Sequence, residues 1–169
     1  MSKYFQIQWR EFVRDLTANN KLTPNELLFE ILNFLKKNLE FFKKKPFSDY
    51  DFEQFLDVDI NDYLPEINSY ESANVQYFIN TAKRYENAQE ATIALFLRDA
   101  LEDMLIFESG RTCPRCGRSG MGVLKNRLDD RLAFLCRQCG LGVYFDESKV
   151  KPGELKIASI TDLHNAHLI

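Results

Sequence analysis

The chain has 169 residues, of which 45% are hydrophobic, and its formal net charge is −3 at pH 7. This length and apolar content are normal for a globular protein, and they allow one ordinary domain or a domain with a small added module. No apolar run approaches the roughly 20 residues that cross a bilayer, and the first residues lack the basic-then-apolar pattern of a secretory leader, so we expect neither a membrane-spanning nor a secreted protein.

The first part of the chain predicts helices. It opens with an apolar stripe at helical spacing, formed by Phe5, Trp9, Phe12, Val13 and Leu16. Residues 23–26 combine an N-cap threonine, a first-turn proline and a capping-box glutamate, and they predict the start of a second helix that ends at the three lysines before Pro46. Residues 72–107 predict two further helices, or one helix kinked at Asn87.

Residues 46–82, hereafter the acidic segment, contain eight acidic residues and no lysine or arginine. Because aromatic residues are interleaved with the acids, the segment has enough apolar side chains to fold, and we expect an ordered acidic surface. Two interpretations stay open: a solvated face with its aromatics in the core, or a surface that binds a basic protein through carboxylates and tyrosines. In the second, the partner-binding residues are Asp49, Asp51, Asp57, Asp59, Asp62, Tyr63 and Glu66.

All four cysteines lie in residues 113–139, as two pairs with two residues inside each pair and nineteen residues between the pairs. A turn of this spacing directs two thiolates at one point, so two such turns complete a tetrahedron that suits zinc. Each pair is followed by a glycine, where the turn requires a positive φ. Four thiolates leave no open coordination position, so the ion is expected to be structural. The predicted ligands are Cys113, Cys116, Cys136 and Cys139.

Other uses of paired cysteines stay open: a redox couple, a rubredoxin-type iron site, or two disulfides. A redox pair of the thioredoxin type belongs to a strand-to-helix turn, which this stretch does not predict. Free thiolates favour a reducing compartment, so we expect the protein in the cytoplasm.

Residues 113–145 resemble the zinc ribbon, a small antiparallel sheet with metal-binding turns at one end. Apolar runs at 121–124, 132–135 and 141–145 correspond to its three strands, and the resemblance implies one structural Zn²⁺ ion. We therefore predict an α+β protein. Its two parts are a mostly helical domain over residues 1–110, which carries the acidic segment, and a three-stranded zinc ribbon with a C-terminal tail over residues 111–169. Ser109-Gly110 is the expected hinge, and residues 155–160 are a candidate edge strand.

The sequence predicts no catalytic site, and we expect a protein that is not an enzyme. The only two histidines, His164 and His167, lie in the last six residues without a nucleophile motif, and we expect them on the surface. No glycine-rich phosphate loop or dinucleotide fingerprint is present, and paired acids such as Asp57 and Asp59 do not differ from their acidic neighbours. An enzyme with an unrecognised acidic site is the remaining catalytic hypothesis.

A protein-binding function is the first hypothesis. The stretch Asn61-Asp62-Tyr63-Leu64-Pro65-Glu66 resembles, over six residues, the acidic, tyrosine-containing, proline-terminated helix of colicin nuclease immunity proteins, which have no zinc ribbon. Nucleases have basic substrate clefts, so the resemblance implies an immunity protein whose acidic surface occupies the cleft of a bacterial nuclease toxin.

The alternative is a nucleic-acid-associated regulator of transcription or translation, in which zinc ribbons are frequent. Residues 111–169 contain ten lysines and arginines against six acids, whereas residues 1–110 contain twelve against nineteen. A zinc ion with four thiolates adds about −2 to the second part, which leaves it only mildly basic. Its phosphate contacts would be Arg115, Arg118, Lys125, Arg127, Arg131 and Arg137.

Overall fold

The structure is a computed structural model that describes residues 3–19, 21–56 and 58–169. It combines α-helices with an antiparallel sheet and divides into two compact units. The helical unit consists of the described residues up to Ile60 together with Leu64–Met104, and the sheet unit consists of Asn61–Tyr63 and Leu105–Ile169. In the described part of the chain, no helix is long and apolar enough to cross a membrane.

The helical unit contains six helices within its described residues. They are α1 (Lys3–Ala18), α2 (Pro24–Lys37), α3 (Leu39–Phe42), α4 (Glu53–Leu56), α5 (Ser72–Arg84) and α6 (Glu90–Leu105), the last residue of which belongs to the sheet unit. Thr23 caps α2 as predicted: the Glu26 N–H donates to Thr23 Oγ1 over 3.2 Å, and the Thr23 N–H donates to Glu26 Oε2 over 2.7 Å. Residues 72–107 form two separate helices, so the two-helix interpretation is the correct one.

The second predicted helix ends earlier than expected. It stops at Lys37, and the short helix α3 follows after Asn38. Asn38 is buried, and its Nδ2 donates to the Phe34 carbonyl over 2.9 Å while its backbone N–H is shared between Phe34 and Leu35. A side-chain amide that competes for backbone carbonyls in this way interrupts a helix, although the apolar pattern continues on both sides.

Before α5 begins at Ser72, the acidic segment has little regular secondary structure, and its buried phenylalanines lie in the core of the helical unit. This part contains α4 and three 3₁₀ turns, at Phe47–Tyr50, Ile60–Asp62 and Pro65–Asn68, and the rest of the segment belongs to α5. The rings of Phe47 and Phe52 both contact Phe42, with centroids 4.8 Å apart in each pair, and Phe47 also contacts Phe5 at 4.6 Å. All four rings are almost fully buried, so the part of the segment before α5 is held chiefly by aromatic packing.

The sheet unit contains six strands, not the three that were predicted. They are β1 (Glu108–Thr112), β2 (Ser119–Asn126), β3 (Leu132–Leu135), β4 (Gly142–Tyr144), β5 (Lys149–Val150) and β6 (Leu155–Ile157), and the helix α7 (Ile160–Asn165) follows. Neighbouring strands pair antiparallel in the order β1-β2-β3-β4-β5, and β6 pairs with β2. The three predicted runs overlap β2, β3 and β4, and the candidate edge strand overlaps β6.

Strand β1 replaces the predicted hinge. Ser109 and Gly110 lie inside this strand, and Ser109 is buried, with its Oγ donating to the Met121 carbonyl over 2.8 Å. A serine and a glycine are typical of a linker, but here a buried hydrogen bond to β2 fixes the backbone. The core of the sheet unit is formed by Cys113, Met121, Val123, Phe134, Cys136, Val143, Ala158 and Leu163.

Candidate functional site

The two cysteine pairs lie in turns that join neighbouring strands. The first turn connects β1 to β2 and the second connects β3 to β4. In each, the carbonyl of the first cysteine accepts a 2.9 Å hydrogen bond from the glycine that follows the second cysteine. These glycines, Gly117 and Gly140, have φ values of 73° and 70°, which confirms the predicted left-handed conformation. The two turns therefore have the same backbone conformation, as expected for paired metal-binding turns.

The four Sγ atoms form a compact cluster in which all lie within 4.8 Å of one another. The Sγ atoms of Cys113 and Cys139 are 3.7 Å apart, and those of Cys116 and Cys136 are 3.6 Å apart. A tetrahedral centre with metal–sulfur bonds of about 2.3 Å has edges of about 3.8 Å, whereas a disulfide requires about 2.05 Å. The four cysteines are therefore free thiols placed where they can hold one metal ion.

Backbone N–H groups in the turns favour the thiolate form that a metal requires. The N–H of Cys139 is the main cause that lowers the pKa of Cys136 to about 6, and the N–H of Gln138 adds to it. Burial raises the pKa of Cys113, but the N–H groups of Cys116 and Arg115 outweigh that effect and lower the pKa overall. Each turn thus contains one cysteine with a lowered pKa, while burial and hydrogen bonds from neighbouring cysteine side chains raise the pKa of the other, Cys116 in the first turn and Cys139, to about 11, in the second.

The cysteine cluster lies partly in the core of the sheet unit. Cys113 and Cys136 are buried in the core of the sheet unit, while Cys116 is exposed and Cys139 is half-buried. Both turns run from strand to strand, so neither provides the strand-to-helix turn of a thioredoxin-type redox pair. Among the residues the structure describes, no other group of three or more side chains is placed to hold a metal. His164 and His167 are both exposed, in agreement with the expected surface position.

Most of the cations predicted to contact nucleic acid have partners inside the sheet unit. Lys125 Nζ lies 2.9 Å from Asp162 Oδ1, and Arg131 lies 2.8 Å from Asp146 and stacks over the Tyr144 ring at 4.0 Å. Arg137 lies 3.7 Å from Glu108, and Arg118 donates to Gln138 over 3.5 Å. Arg115 and Arg127 are exposed. A phosphate would therefore have to replace several intramolecular bonds in this set.

The acidic residues predicted to bind a partner are divided between the two units. Four of them, Asp49, Asp51, Asp59 and Glu66, belong to the helical unit and are exposed. Asp62 and Tyr63 belong to the sheet unit, and Asp57 lies outside the described residues. The predicted set is thus divided between the two units, because the segment 61–63 belongs to the sheet unit.

Tyr63 is the one tyrosine among the residues predicted to bind a partner. Its side chain is half-buried, and burial is the main cause that raises its pKa to about 12, followed by the carboxylates of Asp62 and Asp162. The segment 61–66 also lacks the helix implied by its resemblance to immunity proteins. It contains parts of two 3₁₀ turns separated at Tyr63 and Leu64, and Leu64 has the extended conformation with φ of −128° and ψ of 102°.

Most aromatic residues of the acidic segment belong to the core, as the solvated-face interpretation proposed. Phe47, Phe52, Phe55, Tyr70 and Phe78 are buried. The clear exception is Tyr77, which is 66% exposed and was not among the predicted site residues. The signal that identifies it is the pattern of α5: its buried residues repeat at helical spacing, and Tyr77 falls on the opposite face.

The chain gives no match to any protein-family model, curated protein or solved structure with which it was compared. Function is therefore inferred from the chemistry of its own residues.

Proposed function

We propose that the protein is a non-catalytic binding protein in which one structural zinc ion holds the sheet unit and the acidic helical unit binds a basic protein partner. The observation that carries the proposal is the charge of the acidic segment. Its carboxylates in the helical unit are exposed, and no lysine or arginine occurs from Pro46 to Ala82.

Zinc is proposed for the cysteine cluster because four thiolates at tetrahedral edge distances are its preferred structural ligand set. The same set also suits iron, which is the competing metal. The resemblance to a zinc ribbon extends to the strand-to-strand turns, although here they belong to a larger sheet. Elemental analysis of the protein purified under reducing conditions tests this point: we expect one zinc per chain, and one iron with a visible absorption spectrum would contradict it.

Binding a basic partner explains a charge pattern that costs stability in the free protein. Like charges close together on one surface repel, and a cationic partner relieves that repulsion. Fixed carboxylates also accelerate the encounter with a basic protein and disfavour nucleic acids. A bacterial nuclease toxin is the most specific form of this proposal, because its cleft binds phosphates and so presents cations to an acidic inhibitor.

The test is affinity capture of the full-length tagged protein from its own cell extract, with and without nuclease treatment. We expect one basic protein at equal stoichiometry after the treatment. A neutralised variant that carries Asp49→Asn, Glu53→Gln and Glu66→Gln should retain less of this basic protein. A matched control with the same change of charge replaces exposed acids of the helical unit outside the acidic segment: Glu11→Gln, Glu30→Gln and Glu40→Gln.

Nucleic-acid binding by the sheet unit is the second candidate function. The exposed Arg115 and Arg127 favour it, but four other cations of the predicted set already have intramolecular partners. Retention of nucleic acid alone, lost on nuclease treatment or at raised salt, would replace the first proposal with this one.

A further inference from the structure

A groove lies between α5 and α6 in the helical unit, and the described residues that line it include none of those predicted to bind a partner. Its volume is about 410 Å³. Two large side chains on its walls are unusually exposed, Tyr77 of α5 at 66% and Leu95 of α6 at 42%. Exposed aromatic and aliphatic side chains that face a groove are typical of protein-binding surfaces rather than of a solvated face.

The two ends of the groove differ in chemistry. At one end Phe96 contacts Tyr85, with ring centroids 5.5 Å apart, and it stacks on Phe78 at 4.7 Å. At the other end are Asp99 and Asp103, which are one helical turn apart on α6 and so lie on the same face. Near this end is Tyr70, whose pKa is raised by burial and then by the Asp103 carboxylate. The groove therefore runs from an aromatic end to an acidic end.

Helix α6, which supplies the acidic end, carries more negative than positive side chains. Arg98 lies 2.9 Å from Asp99 and 3.4 Å from Glu102, and it is the one cation of α6 against four carboxylates. A carboxylate can accept several hydrogen bonds, so Asp99 can bind a further cation while it keeps Arg98. The residues of the described chain that line the groove include no lysine or arginine.

From this polarity we infer that the groove binds an amphipathic peptide segment of a basic protein, with aliphatic or aromatic side chains packed against Tyr77 and Leu95 and a lysine or arginine between Asp99 and Asp103. The inference rests on the proposed function and gives it a docking site, which the exposed carboxylates alone do not define. The occupant is a peptide rather than a nucleic acid, because phosphates would be repelled by the two aspartates.

The test uses phage-displayed random peptides of 12 residues, selected against the full-length, metal-loaded protein. We expect enrichment of peptides that combine a lysine or arginine with at least two large apolar residues. The double variant Tyr77→Ser/Leu95→Asp should lose at least about tenfold in affinity for a synthetic copy of an enriched peptide, as expected for central contacts. The variant Asp103→Asn should weaken the same peptide chiefly at low salt.

Controls separate the groove from general effects. Ile7→Ser/Phe29→Asp makes similar changes at two side chains that are each 50% exposed in the helical unit and do not line the groove, so it should bind the peptide like wild type. Thermal melts establish whether each variant folds. If the variant Tyr77→Ser/Leu95→Asp does not fold, the single variant Asp103→Asn still tests the groove. Enrichment of acidic peptides, no enrichment, or equal binding by both double variants would overturn the inference.

The capture experiment distinguishes the two proposals. If Tyr77→Ser/Leu95→Asp still retains the basic partner at wild-type stoichiometry, the groove is not the docking site and the proposed function stands. If wild type retains no basic protein, the proposed function fails whatever the peptide selection shows.

Discussion

Removal of the metal should unfold the sheet unit and leave the helical unit folded. Two of the eight residues in the core of the sheet unit, Cys113 and Cys136, are also proposed metal ligands. Loss of the metal should therefore disturb the packing of that core. Without the ion, four thiols or thiolates remain within 4.8 Å of one another, and their ionised forms repel. The helical unit has its own aromatic core and contains none of the cysteines.

Loss of the metal should have a large effect on stability because the sheet unit is small. A structural zinc site contributes roughly 10 kcal/mol or more of apparent folding free energy at neutral pH. A core in a unit below about 70–80 residues rarely supplies more than about 3–5 kcal/mol by itself. Loss of the ion therefore exceeds the remaining stability, and we expect cooperative unfolding of the sheet rather than a small decrease in its melting temperature.

Hydrogen exchange measured by mass spectrometry on the full-length protein resolves the two units. After chelation under reducing conditions, amides around the paired residues Val123 of β2 and Phe134 of β3 should lose protection, while those of α2 keep it. Cys136→Ser should give the same pattern without chelator, and Ser119→Ala should not. Protection of β2 and β3 that survives complete loss of metal would refute the structural role of the centre.

Three smaller perturbations test the packing and the electrostatics. Phe42→Ala, at a ring that is almost fully buried, should destabilise the helical unit by about 3–5 kcal/mol in urea unfolding, whereas Phe29→Ala, at a half-exposed ring, should cost far less; equal costs would contradict the core. Gly142→Ala should lower the stability of the sheet unit by about 1–3 kcal/mol, because the added Cβ would lie 2.6 Å from Val150 Cγ1. Gly110→Ala should leave the stability almost unchanged, because a Cβ at that position would have no neighbouring atom within 4 Å. Tyr63 should ionise near pH 12 rather than 10; since its pKa is higher in the folded state, its stabilisation is complete below pH 10 and is lost as the pH rises through 12. Ultraviolet titration of wild type and Tyr63→Phe checks this, and a difference that appears near pH 10 would contradict its burial.

Features encoded by adjacent residues could be predicted from the sequence. The capping box at Thr23 requires only three following residues, and it is formed. The cysteine turns are equally local, because two intervening residues and a glycine fix the direction of both thiolates, and the structure brings all four sulfurs together. The start of α2 and the position of the cysteine cluster could therefore be predicted from the sequence.

Features that depend on distant partners could not be predicted. Strands β1 and β5 were not predicted, because Glu108–Thr112 contains no large apolar residue and Lys149–Val150 has only one, so neither shows an apolar pattern; they form by pairing with β2 and β4. The residues 61–63 join the sheet unit although the chain on both sides belongs to the helical unit. The groove requires α5 and α6 to pack side by side, so Tyr77 and Leu95 become significant only in the folded structure.

The most direct test of the proposed function is the dissociation constant of the purified partner, measured by titration calorimetry at several salt concentrations for wild type, the neutralised variant and its matched control. We expect the neutralised variant to bind at least about fivefold more weakly at low salt, with the difference shrinking as salt screens the charges, and the control to bind like wild type. Equal affinities for all three proteins would show that the acidic segment does not bind the partner and would contradict the account.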